Sequence, residues 1–183
     1  MDEYKFIEVS LACRDCAVQE EFWTRMFGAK VIFRGKMMSQ PFVRLIACGI
    51  TLIFREDREL PVPPGPGEER QYRQHLGFRV HDMDAAIQDL ESRGAKFVMT
   101  PALVRQYQQV KQSSGAKQFE TDFIAPPLTR ERIDSGEYKH DVAIFAGPDN
   151  LWIELNEVKE PLDTQWFPHM DTPGPGAKPG AVR

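Results

Sequence analysis

One pattern occurs twice in this chain, and that repetition restricts the fold more than any other feature of the sequence. The first copy runs from Phe6 to Asp15 (FIEVSLACRD), followed by a helical pattern that ends at Phe27-Gly28. The second runs from Gln74 to Asp82 (QHLGFRVHD), followed by a helical pattern that ends at Arg93-Gly94. In each copy an alternating strand leads into an Asp suited to cap a helix N-terminus, and a Gly closes the helix. Val18, Phe22, Trp23, Met26 and Phe27 mark the apolar side of the first helix, and Met83, Ala86, Ile87 and Leu90 that of the second. Both sets recur at three- and four-residue spacing, which is what a helix packed on a sheet requires.

Each helix is followed by strand patterns. In the first half these fall at about 30–36, 41–47 and 50–55, with a Cys48-Gly49 turn between the last two. In the second half they fall at about 96–104, 139–146 and 151–157, with a turn at Gly147-Pro148-Asp149-Asn150. The expected fold is therefore α+β: two tandem βαβββ modules forming a cupped, mixed β-sheet with the helices on its outer face. The expected boundaries are a first module at 1–57, a Pro- and Gly-rich linker at 58–74, a second module at 75–158, and a Pro- and Gly-rich tail at 159–183. Residues 105–138 have no counterpart in the first half and read as an inserted loop, of the kind that serves as a lid or binding segment.

Side chains alternate across a strand, so each strand separates into two faces. Ile7, Val9 and Leu11 oppose Glu8, Ser10 and Ala12; Ile50, Leu52 and Phe54 oppose Thr51, Ile53 and Arg55. Leu76, Phe78 and Val80 oppose His75, Gly77, Arg79 and His81; Leu151, Ile153 and Leu155 oppose Trp152, Glu154 and Asn156. One face is uniformly apolar and must meet the helices. The other mixes polar groups with Ile53 and Trp152, which suits a half-wet concave pocket.

Charge narrows the partners. A net charge of −4 and a pI near 5.6 argue against nucleic acid, whose phosphates demand a basic face. The longest nearly unbroken apolar run, Leu45 to Phe54, is about half of what a bilayer span needs. The start of the chain lacks a signal-peptide pattern, so the expectation is a cytoplasmic protein without a membrane partner. Three cysteines do not suggest a disulfide framework. Cys13 and Cys16 form a C-x-x-C at a strand-to-helix junction, but the intervening Asp15 opposes a low thiolate pKa, and a zinc half-site lacks its second pair. A structural role is the expectation for both.

Glu8 and His75 occupy equivalent places, each seven residues before its capping Asp, and Glu154 faces the same way on the last strand. One imidazole and two carboxylates with open positions suit a divalent ion such as Fe2+, Mn2+, Ni2+ or Zn2+. The competing reading of Glu8 is a structural ion pair. Glu154, flanked by Ile153 and Leu155, needs either a metal or a cation such as Arg79. Arg55, Arg79, His81 and Asn156 share the polar face and are candidates for holding an anionic or phenolic substrate or for moving a proton. His140, opening a strand beside the insertion, is a second candidate acid/base. Trp152 is either an aromatic wall for a planar substrate or core.

The segments EVSLACRD (Glu8–Asp15), HLGFRVHD (His75–Asp82) and GPDNLWIEL (Gly147–Leu155) resemble the vicinal oxygen chelate superfamily, which includes glyoxalase I, extradiol dioxygenases, methylmalonyl-CoA epimerase and the bleomycin- and fosfomycin-resistance proteins. The last segment resembles the family's closing motif, whose Glu is a metal ligand. Two departures stand out. The strand-one position usually holds His or Gln and here holds Glu8. The first module's strand-four position, a ligand in glyoxalase-like members, aligns with Ile53. The resemblance thus implies a three-ligand site of Glu8, His75 and Glu154, and a metal-dependent enzyme chelating vicinal oxygens of a small organic, possibly aromatic, substrate through dioxygenase or lyase chemistry. The alternatives are a metal-free protein that sequesters a small molecule, as the bleomycin-resistance proteins do, or a glyoxalase- or epimerase-type isomerase, which the missing strand-four ligand disfavours. The resemblance also allows a homodimer. A scaffold that uses the 105–138 loop for a protein partner is a further class.

Overall fold

The computed structural model of the chain describes residues 7–57, 59–60, 75–106 and 140–158. The order of elements is β1 (Val9–Cys13), α1 (Cys16–Phe27), β2 (Lys30–Met37), β3 (Gln40–Ala47) and β4 (Ile50–Glu56), then β5 (His75–Arg79), α2 (Met83–Ser92), β6 (Phe97–Met99), β7 (His140–Ala146) and β8 (Trp152–Val158). These are two βαβββ modules, the α+β architecture expected from the repeat. The strands form two four-stranded sheets, in the orders β1-β4-β3-β2 and β5-β8-β7-β6. The first sheet is mixed, because β1 runs parallel to β4 while β2, β3 and β4 are antiparallel neighbours.

The helix boundaries follow from their caps. Asp15, extended at φ −145° and ψ 115°, accepts from the backbone N–H groups of Ala17 and Val18 at 2.7 and 3.4 Å. Gly28 ends α1 in the left-handed region at φ 61°, and its N–H bonds the Thr24 carbonyl at 3.0 Å. Asp82 caps α2 through the Ala85 N–H at 2.9 Å, and Gly94 follows that helix at φ 96°. The Cys48-Gly49 hairpin turn has positive φ at both residues, 50° and 80°, as a tight two-residue connection requires.

The second module departs from expectation at one strand. The pattern at 96–104 suggests a single long strand, yet β6 stops at Met99 and 101–106 is helical. The Thr100-Pro101 pair explains this. Proline at the first helical position carries no N–H to waste, and the Thr100 hydroxyl accepts from the Leu103 N–H at 3.4 Å. Residues 107–139, most of the expected insertion, lie outside the described residues, as do most of the linker and the tail.

By contacts the chain forms two compact units, which divide differently from the two modules. One comprises the described residues within Met1–Leu76, Asp89–Lys96 and Ala146–Ile153; the other comprises those within Gly77–Gln88, Phe97–Phe145 and Glu154–Arg183. In the first, Trp23, Phe54, Leu45, Leu52, Val43 and Cys13 are fully enclosed. Trp23 stacks on Phe27 and tilts against Phe54, with centroids 5.0 and 5.9 Å apart. Val18, expected in this core, is instead 48% exposed, and its place on the buried side is taken by Gln19. In the second unit Phe97 packs on Phe145 at 5.1 Å.

No helix among the described residues is long and apolar enough to cross a membrane.

Candidate functional site

The first sheet has the two faces that alternation requires. Val43, Leu45, Leu52 and Phe54 are buried on the side that meets α1. On the opposite face the register aligns Ser10, Ile53, Arg44 and Phe33 in one row across β1, β4, β3 and β2. The next row is Ala12, Arg55, Phe42 and Gly35.

Glu8 lies just before β1 and is half-buried. Its Oε2 accepts from Nη2 of Arg44 at 2.9 Å. Ile53, one row along, is 4% exposed and offers hydrocarbon rather than a donor atom. Arg55 is exposed on the same face.

The pairing of Arg44 is incomplete. Its Nε is buried and has no hydrogen-bond partner among the described residues. By contrast Arg34, on the helix side of the sheet, grips Glu20 through both Nε and Nη2 at 2.7 and 2.6 Å. That bidentate contact holds the Glu20 carboxyl below its ordinary value, the hydrogen bond from Arg34 being the main cause.

His75 is the first residue of β5 and is exposed. Glu154 sits on β8 between the buried Ile153 and Leu155, and its Oε1 accepts from the Asn156 amide at 3.0 Å. Asn156 is itself buried, and its backbone carbonyl receives the Val80 N–H at 2.9 Å. Trp152 is half-buried on the Glu154 face, and Arg79 half-buried at the end of β5. The alternation expected for β8 is thus present, with Asn156 more enclosed than its polar face suggested.

The chemistry of Glu8, His75 and Glu154 suits a divalent ion. Among the described residues no three His, Cys, Asp or Glu side chains are gathered in a way that would bind a metal. An ion at Glu8 would also have to displace a guanidinium.

His81 lines a different hollow, a polar pocket of about 340 Å³ shared with Asp82, Asp84, Arg105, Asp141 and Glu157. Glu157 there accepts from the Met83 N–H at 3.0 Å, and Arg105 bonds Asp141 at 3.4 Å. The backbone of His140 opens β7, but its side chain lies outside the described residues. A larger cleft of about 710 Å³, against the first turns of α1, is lined by Asp15, Cys16, Glu20, Thr24, Arg34 and Glu56 among others, and none of the residues expected to act in chemistry lines it.

Cys13 and Cys16 are buried, with their sulfurs 3.7 Å apart. Burial pushes both thiols above their ordinary value; for Cys13 the neighbouring Cys16, Asp149 and Glu56 push further in the same direction. Asp15, expected to oppose ionisation, is occupied with capping, and Asp149 and Glu56 exert that effect instead. Protonated and enclosed thiols are poor nucleophiles, in keeping with a structural role.

Two groups escaped the sequence reading. One is Arg44 with Phe33 and Phe42 on β2 and β3, where alternation along β3 makes Phe42 and Arg44 neighbours on one face. The second is a buried polar network. Gln19, 1% exposed, donates to Asp149 Oδ2 at 2.9 Å and accepts from Trp23 Nε1 at 3.2 Å, while the Arg14 N–H donates to the same Asp149 oxygen at 3.1 Å.

Comparison with known proteins agrees with this architecture. The family model described as the Glyoxalase/Bleomycin resistance protein/Dioxygenase superfamily matches residues 5–110. Among solved structures, a glyoxylase/bleomycin resistance protein/dioxygenase domain from Frankia sp. EAN1pec is similar at 19% identity and a TM-score of 0.53, covering 85% of this chain and 98% of its own. A glyoxalase family protein from Enterococcus faecalis gives 16% identity and a TM-score of 0.54, covering 86% and 100%. The fosfomycin resistance protein FosX from Listeria monocytogenes gives 13% and 0.52, covering 85% and 94%. At these identities the likeness is one of fold. No curated protein matches the sequence.

Proposed function

The chain belongs to the Glyoxalase/Bleomycin resistance protein/Dioxygenase superfamily, and from that membership we propose that it binds a small organic molecule on the polar face of its first sheet, without a metal ion at Glu8. One observation supports this reading above the others: the Glu8 carboxylate is held by Arg44 at 2.9 Å. The row that would supply a strand-four ligand instead carries Ile53. A carboxylate already matched by a guanidinium gains less from a divalent ion than an unmatched one, because the ion must first replace that bond. The first sheet then serves as a binding surface of mixed polar and aromatic character.

A second reading is favoured by the donor chemistry. Glu154 stands between two buried aliphatic residues on β8, where the family's closing motif carries a metal ligand. On this reading Glu8, His75 and Glu154 hold a divalent ion such as Fe2+, Mn2+, Ni2+ or Zn2+, and the chain is a dioxygenase or lyase. Arg55, Arg79, Trp152 and Asn156 then contact substrate, and His81 or His140 moves a proton. An isomerase of the glyoxalase or epimerase type is least supported, since Ile53 has no donor atom.

Metal analysis of the purified chain, with thermal melts in the presence and absence of chelator, separates the two readings. The metal-free reading expects well under one ion per chain and ligand-induced stabilisation that chelator does not alter. One tightly held ion per chain, lost in Glu154→Ala and His75→Ala, would overturn it and establish the metal-dependent enzyme.

A further inference from the structure

We infer that the small molecule received by the first sheet is a planar aromatic carboxylate, its anionic group met by Arg44 and Arg55 and its ring laid against Phe33 and Phe42. The inference rests on the preceding reading, that this face binds a small molecule, and adds the class of ligand.

The strand register brings the four side chains together. Arg44 lies directly across from Phe33, and Arg55 directly across from Phe42. Phe42 and Arg44 are two residues apart on β3, so all four share one face. The two phenyl rings stack at 5.5 Å with planes 29° apart, although Phe33 is 55% exposed. Space for that stack is reserved by Gly35: a Cβ there would stand 2.6 Å from Phe33 Cε1 and 3.2 Å from Phe42 Cε1. An aromatic pair left half in water, with a glycine keeping its place, gains from a further ring that covers it.

Charge selects the rest of the ligand. Among the described residues of the first sheet, two guanidinium groups against the carboxylate of Glu8 leave one positive charge on this part of the face. Arg44 gives Glu8 one hydrogen bond while its buried Nε has no partner among the described residues. A buried donor without an acceptor is costly, and a planar carboxylate is the acceptor whose shape matches a guanidinium edge. A monoanion fits this charge better than a polyanion. Two cations on a chain of net charge −4 do not make a nucleic-acid surface.

The test uses the full chain, two-dimensional NMR and two matched pairs of probes: benzoate with benzamide, and 2-naphthoate with 2-naphthamide. The carboxylates should shift Phe33, Phe42 and Arg44 signals saturably and bind about tenfold or more tightly than their amides, as a charge-assisted hydrogen bond implies. Arg55→Gln, which removes no ion pair among the described residues, should weaken the carboxylates several-fold and leave the amides unchanged. Phe33→Ala should weaken all four probes. Arg44→Gln leaves Glu8 without its cation, so the exposed Arg55 supplies the decisive variant if Arg44→Gln does not fold. Equal binding of acid and amide at this face would overturn the carboxylate assignment while leaving the small-molecule reading intact. Should none of the probes perturb this face, both would fall.

Discussion

At the scale of single residues, Gln19 is a polar group whose burial has a direct energetic consequence. Its amide, almost wholly enclosed, is satisfied from both ends by Asp149 and the Trp23 indole. Asp149 stands at φ 54°, a left-handed position that its short polar side chain tolerates. Replacing Gln19 with Ala would take the oxygen acceptor from the buried Trp23 indole, at a cost of about 1–3 kcal/mol before relaxation, while Asp149 would keep the Arg14 N–H. Gln19→Ala should therefore lower the urea midpoint markedly, whereas Val18→Ala, one position earlier and exposed, should change it little. Equal effects from the two would show that the network contributes nothing. The sequence pattern marked Val18 as the core position because alternation of apolar letters cannot reveal a buried polar residue. Only the approach of the 148–150 turn to α1 makes Gln19 an interior residue.

At the scale of elements, caps decide where helices begin and end. Gly28 closes α1 at φ 61°, and a Cβ there would meet nothing within 4 Å. Any cost of substitution is therefore conformational rather than steric with neighbours. Gly28→Ala should destabilise the chain by about 1 kcal/mol, and Gly28→Asn by less, because asparagine accepts the left-handed region more readily. Denaturant titration with an unchanged m-value would support this; a Gly28→Asn variant as unstable as Gly28→Ala would refute it. The Asp-capped starts and Gly-closed ends of both helices were legible because capping is chemistry between close sequence neighbours. The break at Thr100-Pro101 carried the same kind of signal, but the apolar stretch around it suggested a longer strand.

Whole-molecule stability depends on pH through the enclosed thiols. Cys13 and Cys16 have folded-state values raised by burial. Below the ordinary thiol range both states keep their protons, and the thiols add no pH dependence. As pH rises past about 8.5 the unfolded chain releases thiol protons that the folded chain retains, so stability falls. The slope is at most about 1.4 kcal/mol per pH unit for each thiol. Melts between pH 7 and 10 should show this decline, and Cys13→Ser,Cys16→Ser should flatten it. A decline of the same steepness in that variant would assign it to other groups.

The two modules, their strand order along the chain and the polar face of β1, β4, β5 and β8 were determined by the sequence itself, because repeats, alternation and caps are local and survive without knowledge of neighbours. Tertiary structure decided the pairings. It set Arg44 against Glu8, seated Gln19 beside Asp149, gave His81 a pocket of its own and stacked Phe33 on Phe42. Each of these joins residues distant in the chain, and what a carboxylate or guanidinium can do is fixed by the charge that strand register places beside it.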